Sequence, residues 1–240
     1  MINKTLDYLE SISFGCLALI DPDKKNDEIL LELVKSIDKS NFSAILVGGS
    51  SIDDNSFNFR LQIIKKHTSK PIILFPGNSN QISKYADGIL FTSLLSGRNP
   101  KYLIDEQVKG VKLINEYNLD VISTGYILLS TTKPTAVETV SKTKPLDSSD
   151  FEHILYHCLA AEYFGMKYVY LENGSGALNP IDSNLVSFLS DKLNVPIIVG
   201  GGVKTKQTIN EYKEAGAKFV VLGSILEKEP NSLFISAITN

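Results

Sequence analysis

At 240 residues, 43% apolar and 21% charged, the chain has the composition of a soluble globular protein. A chain this long buries about three-quarters of its unfolded surface, so it needs neither disulfides nor a structural metal to fold. Its 24 basic and 27 acidic residues leave a net charge of −3 with no run of like charge, which argues against a nucleic-acid surface and a polybasic membrane anchor.

The N-terminal ten residues carry Asp7 and Glu10 and lack an apolar signal core, so a cytoplasmic protein is expected. Apolar runs then alternate with helix-period segments. Candidate strands lie at 16–20, 44–47, 71–75, 88–92, 120–124 (with a possible continuation through 126–129), 167–171, 196–199 and 219–222. They are rich in Val, Ile and Leu without alternation, as in parallel strands buried on both faces. Among the intervening helices, one places Ile29, Leu30, Leu33, Val34 and Ile37 on a single face, and another Ile104, Val108, Val111 and Ile114. Cys16 and Cys158 sit far apart in apolar segments and read as buried, reduced thiols.

Eight such units in this length fit a (β/α)8 barrel, with a doubly wound open sheet as the competitor. The connection between the third and fourth strands is too short for a full helix, so the third helix is truncated or replaced. Residues 130–150 are polar and contain Pro134 and Pro145, which suggests a lid or a disordered loop. No linker interrupts the chain, and residues 1–240 read as one domain.

In barrels the chemistry lies at the C-terminal strand ends. Here those ends carry Asp21-Pro22-Asp23-Lys24, Gly48-Gly49-Ser50-Ser51, Tyr170-Leu171-Glu172-Asn173-Gly174-Ser175-Gly176, Gly200-Gly201-Gly202 and Gly223-Ser224. Glycines after the seventh and eighth strands, with Val203-Lys204-Thr205 opening a helix, let backbone N–H groups approach a phosphate. Tight βα turns are the plainer use of the same residues.

Asp21 ends an apolar strand, where a carboxylate is costly unless paired or bound to a cation such as Mg2+; Ser50 would stand beside it. A turn-capping aspartate before Pro22 is the alternative. Asp53 and Asp54 read as helix caps. Glu172, at a buried strand end, could deprotonate a hydroxyl, with Tyr170 bonding a phosphate or polyol; a satisfied structural glutamate is the other reading. His153 and His157 share a helix face, but no third ligand accompanies them and a zinc site is not expected. His67 reads as a surface residue at a helix end.

These segments, together with Phe75-Pro76-Gly77-Asn78, Ser96-Gly97-Arg98-Asn99-Pro100 and Gly125-Tyr126, resemble the geranylgeranylglyceryl phosphate synthases and their bacterial relatives that attach longer prenyl chains. The resemblance covers nearly the whole chain. It implies a modified (β/α)8 TIM barrel with the third helix replaced. It also implies a phospholipid-biosynthetic prenyltransferase that uses Mg2+ to transfer a prenyl group to the 3-hydroxyl of sn-glycerol 1-phosphate, releasing diphosphate.

Carried over, Asp21 and Ser50 are the metal positions and Glu172 accepts the hydroxyl proton. Glycerol phosphate sits on the segment from Tyr170 to Gly176, on Gly201 and Gly202, and on Gly223 and Ser224. Tyr102 aligns with a floor residue of twenty-carbon enzymes, and Tyr126 joins it in the prenyl groove; ordinary packing is the alternative for Tyr102. Leu19 stands where some bacterial members have lysine, which points to the archaeal-type branch. Family members often have a small residue at the position of Asn173, so its side chain is not tied to substrate by the resemblance. A homo-oligomer is implied, with at most peripheral membrane contact. The competing activities are the same transfer from a longer donor such as heptaprenyl diphosphate, or a different phosphate-binding barrel isomerase or synthase.

Overall fold

The computed structural model describes residues 4–49, 55–130, 134–174 and 177–239. Eight parallel strands close a barrel in sequence order. They are β1 (Gly15–Ile20), β2 (Phe42–Val47), β3 (Ile72–Leu74), β4 (Gly88–Leu94), β5 (Asp120–Leu128), β6 (Tyr168–Glu172), β7 (Ile197–Gly200) and β8 (Phe219–Leu222). The expected strands all form. The fifth takes its longer option, and the sixth and seventh end one residue later than expected, so Glu172 and Gly200 belong to strands.

The helices are α1 (Lys4–Ser11), α2 (Leu30–Asp38), α3 (Phe57–His67), α4 (Glu106–Glu116), α5 (Ala136–Ser141), α6 (Phe151–Tyr163), α7 (Ser183–Ser190), α8 (Lys206–Glu214), α9 (Ser224–Lys228) and α10 (Ser232–Thr239). A π-helical turn, Lys101–Asp105, leads into α4. No helix lies between β3 and β4; residues 75–87 are turns and irregular chain, as the short connection implied. Among the described residues no helix is long and apolar enough to cross a membrane.

The chain divides into two compact units. The first comprises Met1–Leu90, Lys109–Val121 and Leu222–Asn240. In it β1 pairs with β2 and β2 with β3, in a register that places Leu19 beside Leu46 and Val47 beside Leu74. Helix α2 buries Leu30, Leu33, Val34 and Ile37, the expected stripe, and packs on α3 and α10. Carboxylates stitch the N-terminal strand ends: Asp87 accepts from the Ile72 N–H at 2.8 Å, and Asp120 from the Thr5 N–H at 2.6 Å. These two aspartates are structural.

The second unit comprises Phe91–Val108 and Ile122–Val221. Strand β5 pairs with β6 and β6 with β7, so Tyr126 lies beside Tyr170, Leu128 beside Glu172, and Glu172 beside Gly200. Helices α6, α7 and α8 pack in succession.

Two readings are narrowed. Ile104, Val108 and Val111 are 54%, 64% and 50% exposed, and only Ile114 of that stripe is buried, so this apolar face does not pack on the barrel. The segment 130–150 also holds order: α5 starts on a capping box between Thr135 and Glu138, and Leu146 bridges Leu129. Residues 131–133 lie outside the described part. Cys16 and Cys158 are free and buried, and burial pushes their thiols up to about 11 and about 12, which leaves them unreactive.

Candidate active site

Glu172 is the last residue of β6 and is 6% exposed. A carboxylate at a buried strand end loses its hydration, and that loss pushes its pKa up to about 6. The rise is limited by the Gly174 N–H, 2.5 Å from Oε1, and by the neighbouring phenols of Tyr126 and Tyr170. The parallel register brings those two rings together; they stack with centroids 5.3 Å apart and planes 20° apart. Burial drives both phenol pKa values well above their ordinary value, so both remain donors at neutral pH. A carboxyl held this way is ionised at pH 7 and still basic enough to take a proton in a transition state.

Beside Glu172 the chain is bare backbone. Gly201 and Gly202 follow β7 with φ of 88° and 72°, the left-handed region. A Cβ on Gly201 would lie 2.9 Å from Glu172 Oε1 and from both N and O of Gly174, so no side chain fits there. The Asn173 side chain serves the protein: its amide donates to the Asn179 carbonyl at 2.8 Å. Lys204 Nζ likewise donates to the Leu178 carbonyl at 3.0 Å. Tyr170 and Leu171 are fully buried, and Ser175 and Gly176 lie outside the described residues.

In the first unit, Asp21 follows β1 and is partly exposed. Its Oδ2 faces Lys25 Nζ at 3.4 Å, while Oδ1 is buried and has no hydrogen-bond partner among the described residues. Burial raises this carboxyl's pKa and Lys25 lowers it in part. A hard cation needs such an oxygen, and Mg2+ in particular is satisfied by one or two carboxylates with water and substrate phosphates. Among the described residues no group of three or more His, Cys, Asp or Glu is placed to hold a metal ion.

The loop bearing Asp21 is held by residues that sequence reasoning missed. Asn26 Nδ2 donates to the Asp21 carbonyl at 2.8 Å and to Glu227 Oε1 at 3.1 Å. Arg60 of α3, 2% exposed, forks onto Asp27 at 2.5 and 2.9 Å and reaches the Pro22 carbonyl at 3.0 Å. Gln81 clamps the neighbouring turn, donating to the Gly49 carbonyl and accepting from the N–H groups of Gly49 and Gly77. Ser50, Asp53 and Asp54 lie outside the described residues. Gly223 caps α9 and packs over Leu19, and Ser224 opens that helix half-buried.

Tyr102 sits in the π-helical turn, half-buried, with its hydroxyl donating to the Val140 carbonyl at 3.2 Å. Tyr126, placed in a prenyl groove by the resemblance, is buried and engaged with Glu172. His153 and His157 lie edge to face on α6, and His67 ends α3 with Nδ1 against the Ile63 carbonyl at 2.9 Å.

A family model described as the PcrB family matches residues 10–240. The chain belongs to the PcrB family. A curated relative, the geranylgeranylglyceryl phosphate synthase of Flavobacterium johnsoniae, is 44% identical over 211 residues, covering 88% of this chain and 87% of the relative. Among solved structures, wild-type GGGPS from Thermoplasma volcanium superimposes with a TM-score of 0.88 at 34% identity, covering 99% of this chain and 96% of the other. The (S)-3-O-geranylgeranylglyceryl phosphate synthase from Thermoplasma acidophilum, solved in complex with its substrate sn-glycerol-1-phosphate, matches with a TM-score of 0.91 at 29% identity over 100% and 97% of the two chains. The PcrB-family barrel therefore has the fold that the sequence resemblance implied.

Proposed function

We propose that this PcrB-family enzyme transfers a geranylgeranyl group from geranylgeranyl diphosphate to the 3-hydroxyl of sn-glycerol 1-phosphate. The observation that carries the chemistry is Glu172, a buried carboxyl held at about 6 beside side-chain-free backbone. Its carboxylate takes the proton of the attacking hydroxyl as the hydroxyl oxygen bonds the allylic carbon. The carbon–oxygen bond to diphosphate breaks, and diphosphate leaves with its electron pair. The identity with geranylgeranylglyceryl phosphate synthases supports the donor and acceptor assigned.

Acceptor binding is assigned to the segment from Tyr170 to Gly176 and to Gly201 and Gly202, of which the Gly174 N–H serves Glu172; Gly223 and Ser224, in the first unit, are further candidate phosphate contacts. Asp21, whose Oδ1 has no hydrogen-bond partner among the described residues, and Ser50 would hold Mg2+. When bound, Mg2+ supplies charge neutralisation for the diphosphate leaving group. Tyr102 limits the donor chain, and Tyr126 borders it near the reacting end. The enzyme works from the cytoplasm as a homo-oligomer, with residues 1–240 as one catalytic domain and at most peripheral contact with the membrane.

The test is incubation of the purified protein with sn-glycerol 1-phosphate, Mg2+ and a ladder of prenyl diphosphates, with products identified by mass. The expected product carries twenty carbons and appears with one diphosphate. Turnover of acceptor without diphosphate release overturns the proposal in favour of an isomerase. Glu172→Gln lowers turnover by about tenfold or more while acceptor binding persists; Tyr102→Ala moves the preferred donor to longer chains.

A further inference from the structure

Outside the residues assigned above, the second unit holds an open cleft of about 480 Å³ between residues 96–99, after β4, and residues 142–144, after α5. Three cations line it, Arg98, Lys142 and Lys144, and no acidic side chain does among the described residues. Thr143, on the cleft wall, is 4% exposed, and its hydroxyl has no hydrogen-bond partner among the described residues. Buried hydroxyls are nearly always paired; this one is covered at rest and faces Gly97 of the same cleft.

The walls are built rigidly. Ser96 Oγ accepts from the Leu128 N–H at 2.9 Å, tying one wall to the end of β5. Gly97 leaves room for Thr143, whose Oγ1 would lie 2.8 Å from any Cβ added there. Lys142 ends α5 with φ of 54°, where helices usually place glycine. The chain thus accepts a conformational cost and gains a cation at the cleft. Two carbonyls at the C-terminal end of α5 would repel an anion, and both are already taken: Ser141 O by Asn99 Nδ2 at 3.1 Å, and Val140 O by the Tyr102 hydroxyl. Arg98 spends one arm on the Leu95 and Gly97 carbonyls and sets the other 3.4 Å from His157.

We propose that this cleft is a second oxyanion site, separate from the transfer chemistry, which takes a phosphoryl group on Arg98, Lys142, Lys144 and the Thr143 hydroxyl. A phosphoryl dianion matches three cations and a hydroxyl donor better than a carboxylate does, and the volume leaves space for an ester substituent. The same chemistry is offered by free phosphate and by an anionic phospholipid headgroup. An occupant would rest on the C-cap of α5, the helix whose N-cap, Thr135, packs against Gly174 beside Glu172.

The test uses the full chain, Thr143→Val, and the double variant Arg98→Ala/Lys144→Ala. Inorganic phosphate is titrated calorimetrically in saturating sn-glycerol 1-phosphate; cosedimentation uses phosphatidylcholine vesicles with and without phosphatidylglycerol. One phosphate bound per chain, weakened about tenfold or more in each variant, supports a site for free phosphate. Binding only to phosphatidylglycerol vesicles, with the same losses, supports a headgroup site. Displacement of all phosphate by sn-glycerol 1-phosphate overturns the proposal. So does an absence of both kinds of binding, or binding unchanged by the variants.

Discussion

Opposing causes set the proton affinity of Glu172: burial raises it, while one N–H and two phenols hold the rise to about 6. The proposed base must be ionised to act, so kcat/KM is expected to climb as pH rises through about 6, and Glu172→Gln to lose that limb. Removing a donor raises the carboxyl further, so Tyr126→Phe moves the limb to higher pH. Stability follows the opposite sign. A raised carboxyl contributes stability below its ordinary value of 4.5 and loses it as pH climbs through about 6. Thermal unfolding above that pH should therefore show Glu172→Gln more stable than the parent. The burial of Glu172 was legible from its place at the end of an apolar strand. Its partners were not, because Tyr126 meets Tyr170 only through the register of β5 on β6.

At the scale of elements, the strands were legible because continuous Val, Ile and Leu runs admit few other fates. What defeated sequence reading was side-chain use inside helices and turns. Arg60 looks like a solvated residue of an amphipathic helix, yet its guanidinium is buried and fastens the turn after β1 to α3. Asp27→Ala leaves that charge buried without its fork, at a cost of about 2–3 kcal/mol because Asp27 itself is half exposed, measurable by urea unfolding. With Mg2+ on Asp21 as proposed, such a loss should also raise the Mg2+ concentration needed for activity, since the same turn carries Asp21. The stripe that runs through helix α4 is a different case: periodicity reports only that one face is apolar, not what covers it.

For the whole molecule, that exposed stripe has a consequence for assembly. If it joins copies of the chain, Val108→Lys shifts the sedimentation coefficient towards the monomer; an unchanged value assigns the interface elsewhere. The missing third helix bears on motion. Residues 75–87 lack an internal ladder of backbone hydrogen bonds, and a few side-chain bonds, those of Gln81 among them, hold the segment in place. A segment fastened by a handful of latches opens at less cost than the strands beside it. Amide hydrogen exchange across 75–87 should run ahead of β2 and β3 under native conditions, and Gln81→Ala should widen the gap without lowering the global unfolding midpoint in proportion. The barrel can thus breathe along one flank while its strands stay paired, a small motion of the kind that a bulky, water-averse guest requires of its host.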